Sequence, residues 1–281
     1  MTVSFYKGVT FSLFLQIFLF SSPLVTAAKL AIVIDDIGYR NKEDSAIYDL
    51  PKAVSVAIIP SAPQATERAE QAYQQQRDIL IHLPMQPQNH LLVESGALVV
   101  GMEAEKVKRT IEVARKRVPY AIGLNNHMGS RATTDSQLMQ HLMQVLKAEQ
   151  LFFLDSKTAG NSVAYKTAKN LGVSALERHI FLDDSDELGD VQRQFEAAIR
   201  YARKHDVAIM IGHPRKNSIK VLQQGISQLP NDIELIPISA LWRQDVIQPV
   251  MPFKLIFTLT PALTSIPPFH HVPLLRGVPK D

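Results

Sequence analysis

The chain has 281 residues, of which 46% are hydrophobic and 20% charged, and a formal net charge of +3. That length holds one large domain or two small ones, and that composition buries a substantial core instead of staying disordered. From Lys29 to Asp245 the charges balance to zero, which leaves no clustered basic footprint for a nucleic acid; the absence of cysteine excludes thiol catalysis, thiolate metal sites and disulfides.

Residues 1–28 read as a secretory signal peptide. Lys7 is their only charge, Val9–Phe20 is an apolar run of 12 residues, and small residues follow at Ala27 and Ala28. A bilayer span needs ~20 apolar residues, so this run suits a cleaved signal; the chain would touch a membrane only if the segment stayed uncleaved. The mature protein is therefore expected outside the cytoplasm, in the periplasm. No G-x-x-x-x-G-K-[ST] loop occurs, so no nucleotide is expected.

Lys29-Leu-Ala-Ile-Val-Ile-Asp-Asp-Ile-Gly38 opens the mature chain. Its aliphatic run reads as a strand buried on both faces, ending in two carboxylates where α/β folds place their chemistry. Thereafter the pattern predicts a helix over 42–50, a strand over 54–59, a helix over 65–76 and a strand over 78–83. A loop over 84–101, long enough to be functional, follows. A helix over 103–118, a strand over 120–125 and a helix ending at 149 come next; Thr134 and Gln137 have capping-box spacing, and Leu138, Leu142 and Val145 form the buried stripe. The remaining elements are a strand over 151–154, a helix over 162–171 stopped by Gly172, one or two short strands within 173–182, and a helix over 187–203. That helix buries Val191, Phe195, Ile199 and Ala202. A strand over 207–211, a helix over 218–229 and a strand over 233–238 complete the pattern.

Strands alternating with helices imply right-handed βαβ units. The fold class is thus α/β, a distorted (β/α) barrel of seven or eight mainly parallel strands over 29–245, with an open doubly wound sheet as the alternative. Residues 246–281 carry 7 of the 17 prolines and are expected to form a flexible tail without regular structure. All strand C-termini of a parallel barrel open on one face. Asp35-Asp36, His82, Asn125-Asn126-His127 with Ser130, Asp155 and His213 each follow or end a predicted strand, so they should converge there. Buried charges are costly unless paired or metal-bound, and imidazole plus carboxylate suits a divalent ion such as Zn²⁺. One aspartate would then be a ligand and the other a general base, and His213 could protonate a leaving group.

Ile34-Asp-Asp-Ile-Gly38, Ile81-His-Leu-Pro-Met85, Asn125-Asn-His-Met-Gly-Ser130, Phe153-Leu-Asp-Ser156 and Ile211-Gly-His-Pro214 together resemble the divergent polysaccharide deacetylase family, related to the NodB-type carbohydrate esterases. The resemblance implies a metal-dependent hydrolase that removes N- or O-acetyl groups from a polysaccharide or peptidoglycan-type glycan. It implies Asp36 as a metal ligand, Asp35 as base and His213 as general acid. The better-known relatives take both metal histidines from one H-x-x-x-H segment, but Arg131 stands four residues after His127; His82 is the candidate for the second imidazole beside His127. Asp155 is expected to orient an imidazole, Asn125, Asn126 and Ser130 to hold sugar hydroxyls, and a backbone N–H near Gly38 to face the oxyanion. A relative that binds a glycan or envelope partner without turnover is the alternative, favoured by the missing H-x-x-x-H.

Overall fold

The computed structural model describes residues 27–89 and 93–242; residues 1–26 of the expected signal segment and the proline-rich tail lie outside the described residues, while Ala28 at the end of that segment already belongs to the first strand. In chain order the elements are β1 (Ala28–Ile37), α1 (Asn41–Tyr48), β2 (Ser55–Ile58), α2 (Ala65–Gln74), β3 (Ile79–Met85), α3 (Ala104–Arg117), β4 (Gly123–Met128), α4 (Ser136–Ala148) and β5 (Phe152–Asp155). Then come α5 (Ala164–Asn170), β6 (Ala175–Glu177), β7 (Ile180–Phe181), α6 (Leu188–His205), β8 (Val207–Gly212), α7 (Lys216–Ser227) and β9 (Ile233–Ile236).

Every strand pairing is parallel, in the order β6-β5-β4-β3-β2-β1-β8-β7, with β9 added against β1. Only Arg178 and His179 separate β6 from β7. One extended segment therefore pairs with β5 at its start and with β8 at its end, which draws the two edges together. The result is a distorted (β/α) barrel. Along the other edge of β1, β9 takes Ala28–Ala31 and β2 takes the stretch from Val33 onward.

Strand alternation sorts side chains into two cores. Leu30, Ile32 and Ile34 of β1, Ile79 and Ile81 of β3, Leu124 of β4 and Phe153 of β5 face the helices. Ala31, Val33, Leu80, Phe152, Leu154, Ile209 and Ile211 fill the barrel interior, and Ile236 and Ile238 join them from the last strand and the turn after it. Trp242 stacks on Phe152 with ring centroids 3.7 Å apart. The Ile238 N–H donates to Ser55 Oγ and the Ser239 N–H to Asp78 Oδ2, pinning this turn to the starts of β2 and β3. With its interior filled by side chains, the barrel has its opening for chemistry at the C-terminal strand ends.

Some local expectations change. The α4 cap is Asp135, whose carboxylate accepts the Leu138 N–H at 2.7 Å, whereas Thr134 lies in the preceding 3₁₀ turn. Within α4, Leu146 is buried where Val145 is only half-buried, and in α6 Ala198 is buried where Ile199 is half-buried. β4 begins three residues later than its pattern suggests and runs through His127 to Met128, because the preceding chain turns at Tyr120, whose φ is +63°. β3 likewise continues through Pro84, which pairs with His127.

Candidate metal-binding and catalytic site

Residue parity decides which strand-end side chains reach the mouth. In β1 the inward positions are Ala31 and Val33, so Asp35 points inward and is 2% exposed. Regular alternation would turn Asp36 outward. Instead the register against β2 advances three residues, Ile34 to Ile37, against two, Val56 to Ile58. This is a β-bulge, and Asp36 sits in it at φ +58°. The bulge lets two consecutive carboxylates serve the same mouth. Asp44 braces the turn by accepting the Gly38 N–H at 2.9 Å.

His82 follows the interior residue Leu80 by two positions and lies opposite Asn125 in the β3–β4 register, with His127 two pairs further along, on the same face, opposite Pro84. Three donor atoms meet there. Asp36 Oδ1 lies 3.3 Å from His82 Nε2 and 3.0 Å from His127 Nδ1, and the two ring nitrogens are 3.1 Å apart. Ligands around a tetrahedral ion at ~2.0–2.1 Å are separated by roughly 3.3–3.4 Å, so the triangle approximates one face of such a site. Asp36 Oδ1 is buried without a well-directed hydrogen bond, as expected of an oxygen reserved for a cation. Donor chemistry and spacing both fit a divalent ion, and Asp36, His82 and His127 are the residues that could hold it.

The surrounding contacts set protonation. His82 Nδ1 lies 2.8 Å from Asn125 Oδ1, and the Asn125 amide donates to Asp35 Oδ1 at 2.8 Å. Asn125 thus fixes the tautomer that leaves the His82 Nε2 lone pair facing the triangle, and it orients Asp35 as well. Burial pushes the Asp35 carboxyl up from its ordinary value, against the pull of His82 and His213. Burial also opposes charge on Asp36, but the two nearby imidazoles outweigh it and hold that carboxyl far below the usual range. His82 shows the converse: burial disfavours its cation, yet Asp35 and Asp36 raise it to about 9.

His213 follows β8 at an inward position. Its Nδ1 lies 2.8 Å from Asp183 Oδ1, while its backbone N–H and the Ser218 hydroxyl donate to Asp183 Oδ2 at 2.8 and 2.6 Å. Burial works against the imidazolium, but Asp183 overrides it and raises the His213 pKa; the same pair lowers that of Asp183 despite its burial. An imidazole held this way keeps Nε2 free to carry a proton.

Five sequence-based expectations change, the first being Asn125, which is fully buried and engaged by His82 and Asp35 in place of a sugar hydroxyl. Asp155 is the outward residue after Leu154 and reaches no imidazole; its oxygens accept the Lys157 N–H at 2.8 Å and the Ser162 hydroxyl at 2.6 Å, a local turn lock. Asn126, also of outward parity, is engaged with the Met128 carbonyl, the Thr158 hydroxyl and the Ser156 N–H, and Ser130 Oγ accepts the Gln88 N–H. Both tie loops together, and the Gly38 N–H is committed to Asp44 and not open to an oxyanion. Two participants escaped sequence reasoning. Asp183 lies two residues after the short β7, where the strand-end rule could have found it; Glu94, whose Oε1 lies 3.6 Å from His127 Nε2, comes from the β3–α3 loop, which carries no periodic signal.

The fold and the site define the class: a parallel (β/α) barrel whose mouth gathers a possible three-residue metal site, a second buried carboxylate and a separate His–Asp pair. The divergent polysaccharide deacetylase family model matches residues 32–242, and the chain belongs to that family. It is 56% identical over 266 residues to an uncharacterized protein of Haemophilus influenzae (strain Rd), covering 93% of this chain and 95% of that one. It is 41% identical over 258 residues to the YibQ protein of Escherichia coli K12, covering 92% and 77%. The uncharacterized protein ATU2773 of Agrobacterium tumefaciens C58 has the same fold, with a TM-score of 0.73 and 21% identity over 77% of this chain and 89% of that one.

Proposed function

We propose that the protein is an extracytoplasmic, Zn²⁺-type metal-dependent hydrolase that removes N- or O-acetyl groups from a polysaccharide or peptidoglycan-type glycan. The observation that carries this reading is the triangle of Asp36 Oδ1, His82 Nε2 and His127 Nδ1 beside a second, buried carboxylate. Family membership supports the glycan substrate. The Lys7, Val9–Phe20 and Ala27-Ala28 pattern supports export as a signal-bearing chain whose barrel spans 29–245.

Bound in the triangle, a divalent ion would supply Lewis-acid polarisation of the acyl carbonyl and acidify a water. Asp35, whose carboxyl burial raises above its ordinary value, would act as general base and accept a proton from the attacking water. His213, whose imidazolium Asp183 favours against the opposing effect of burial, would donate from Nε2 to the departing amine nitrogen or alkoxide oxygen. One water is consumed, and acetate and the deacetylated sugar leave.

The neighbouring aspartates separate this reading from a glycan binder without turnover. Asp35→Asn should keep metal affinity yet lose ~10²–10⁴-fold in acetate release from acetylated glycan oligomers. Asp36→Asn should weaken metal binding, with activity partly restored at high metal concentration. Acetate release that survives Asp35→Asn undiminished refutes the mechanism; no release by the wild type on any acetylated glycan favours the binder.

A further inference from the structure

We propose that Glu94 is a positioning residue for His127, so that metal binding depends on how the β3–α3 loop is seated. This rests on the metal-site reading above and extends it to residues outside the ligand triangle.

The two imidazoles are held differently. His82 is 2% exposed and its outer nitrogen is locked by Asn125 within the sheet. His127, at the end of β4, turns Nδ1 into the triangle, and its outer nitrogen Nε2 faces Glu94 Oε1 at 3.6 Å. That separation is longer than a formed hydrogen bond, so the carboxylate acts on the ring through its charge on the N–H dipole. It still favours the tautomer with the proton on Nε2 and the lone pair on Nδ1, the form a cation requires. Ligating histidines generally have such an outer partner, and a carboxylate is a common one.

Glu94 is itself clamped. Its second oxygen, Oε2, accepts the Ser61 hydroxyl at 2.9 Å and the Tyr39 hydroxyl at 3.2 Å. Tyr39 lies three residues beyond Asp36, and Ser61 follows β2. Burial and the adjacent Glu94 raise the Tyr39 phenol above its ordinary value, so it remains a donor. The base of the loop is fixed on the barrel: the Gln86 N–H donates to the Leu98 carbonyl, the Leu98 N–H to the Pro84 carbonyl, and the Gln88 N–H to Ser130 Oγ. Glu94 therefore joins the ends of β1 and β2 to a candidate metal ligand on β4, and Ser130 supports the strap that carries it.

The test compares wild type, Glu94→Gln and the Tyr39→Phe/Ser61→Ala pair, reading Zn²⁺ affinity by chelator competition, the Co²⁺ absorption spectrum, and the melting temperature of the metal-free protein. Glutamine keeps the size of Glu94 but removes its charge, so Glu94→Gln should bind Zn²⁺ about 10–100-fold more weakly. Its Co²⁺ spectrum should shift while the metal-free melting temperature stays at the wild-type value. The Tyr39/Ser61 pair should weaken Zn²⁺ in the same direction by a smaller factor, although neither side chain is a ligand. Wild-type affinity and spectrum in Glu94→Gln overturn this inference alone. A wild-type protein that binds neither Zn²⁺ nor Co²⁺ overturns the metal-site reading and this inference with it.

Discussion

Metal binding at this site should carry a proton cost set by His82. Its ring lies 3.6 Å from Asp35 Oδ2 and 3.3 Å from Asp36 Oδ1, with almost no solvent contact. Burial works against the imidazolium, but the two carboxylates raise its pKa to about 9. At pH 7 the metal-free ring is therefore protonated, and a cation must displace that proton. Two pKa units correspond to about 2.7 kcal/mol, or ~100-fold in affinity. Zn²⁺ affinity, measured by chelator competition, should rise roughly tenfold per pH unit between pH 7 and pH 9. Calorimetry in buffers of different ionisation enthalpy should report about one proton released at pH 7. The same shift predicts the metal-free stability profile. A histidine whose folded pKa lies above its unfolded value of 6.5 stabilises the fold fully below pH 6.5 and loses that contribution as pH rises through about 9. The loss amounts to about 3 kcal/mol, read as a falling denaturant midpoint. An affinity flat from pH 7 to 9, with no proton released, would refute the placement of His82 between the carboxylates.

Two further outcomes test other parts of the structure. Asp183→Asn removes the charge that raises the His213 pKa, so the alkaline limb of the kcat/KM profile should move to lower pH while Zn²⁺ affinity is retained; an unmoved limb would show that His213 is not the acid. Gly123→Ala would drive a Cβ into the Phe152 ring, against which Trp242 stacks. Such overpacking costs about 1–3 kcal/mol, and chemical denaturation within about 0.5 kcal/mol of wild type would contradict the close approach.

Much of this molecule is determined by sequence that needs no partner to be read. Aliphatic runs broken by helices of one period specify the parallel barrel, because a strand buried on both faces has nowhere else to put Leu30–Ile34 or Ile79–Ile81. The rule that such strands end at one mouth brings Asp35, Asp36, His82, His127 and His213 onto the right face, five side chains scattered over the chain. Tertiary structure decided how those residues divide the work. Parity within β5 and β4 turns Asp155 and Asn126 away from the mouth, whereas a bulge after Ile34 overrides parity and turns Asp36 in. Asn125 joins Asp35 to His82 only because β3 and β4 pair in that register, and Glu94 meets His127 only because its loop is tied across β1, β2 and β4. Periodicity records which face a residue occupies within its own strand. The bond that one side chain makes to another depends on register, bulges and loop paths, and these are settled between segments far apart in the chain.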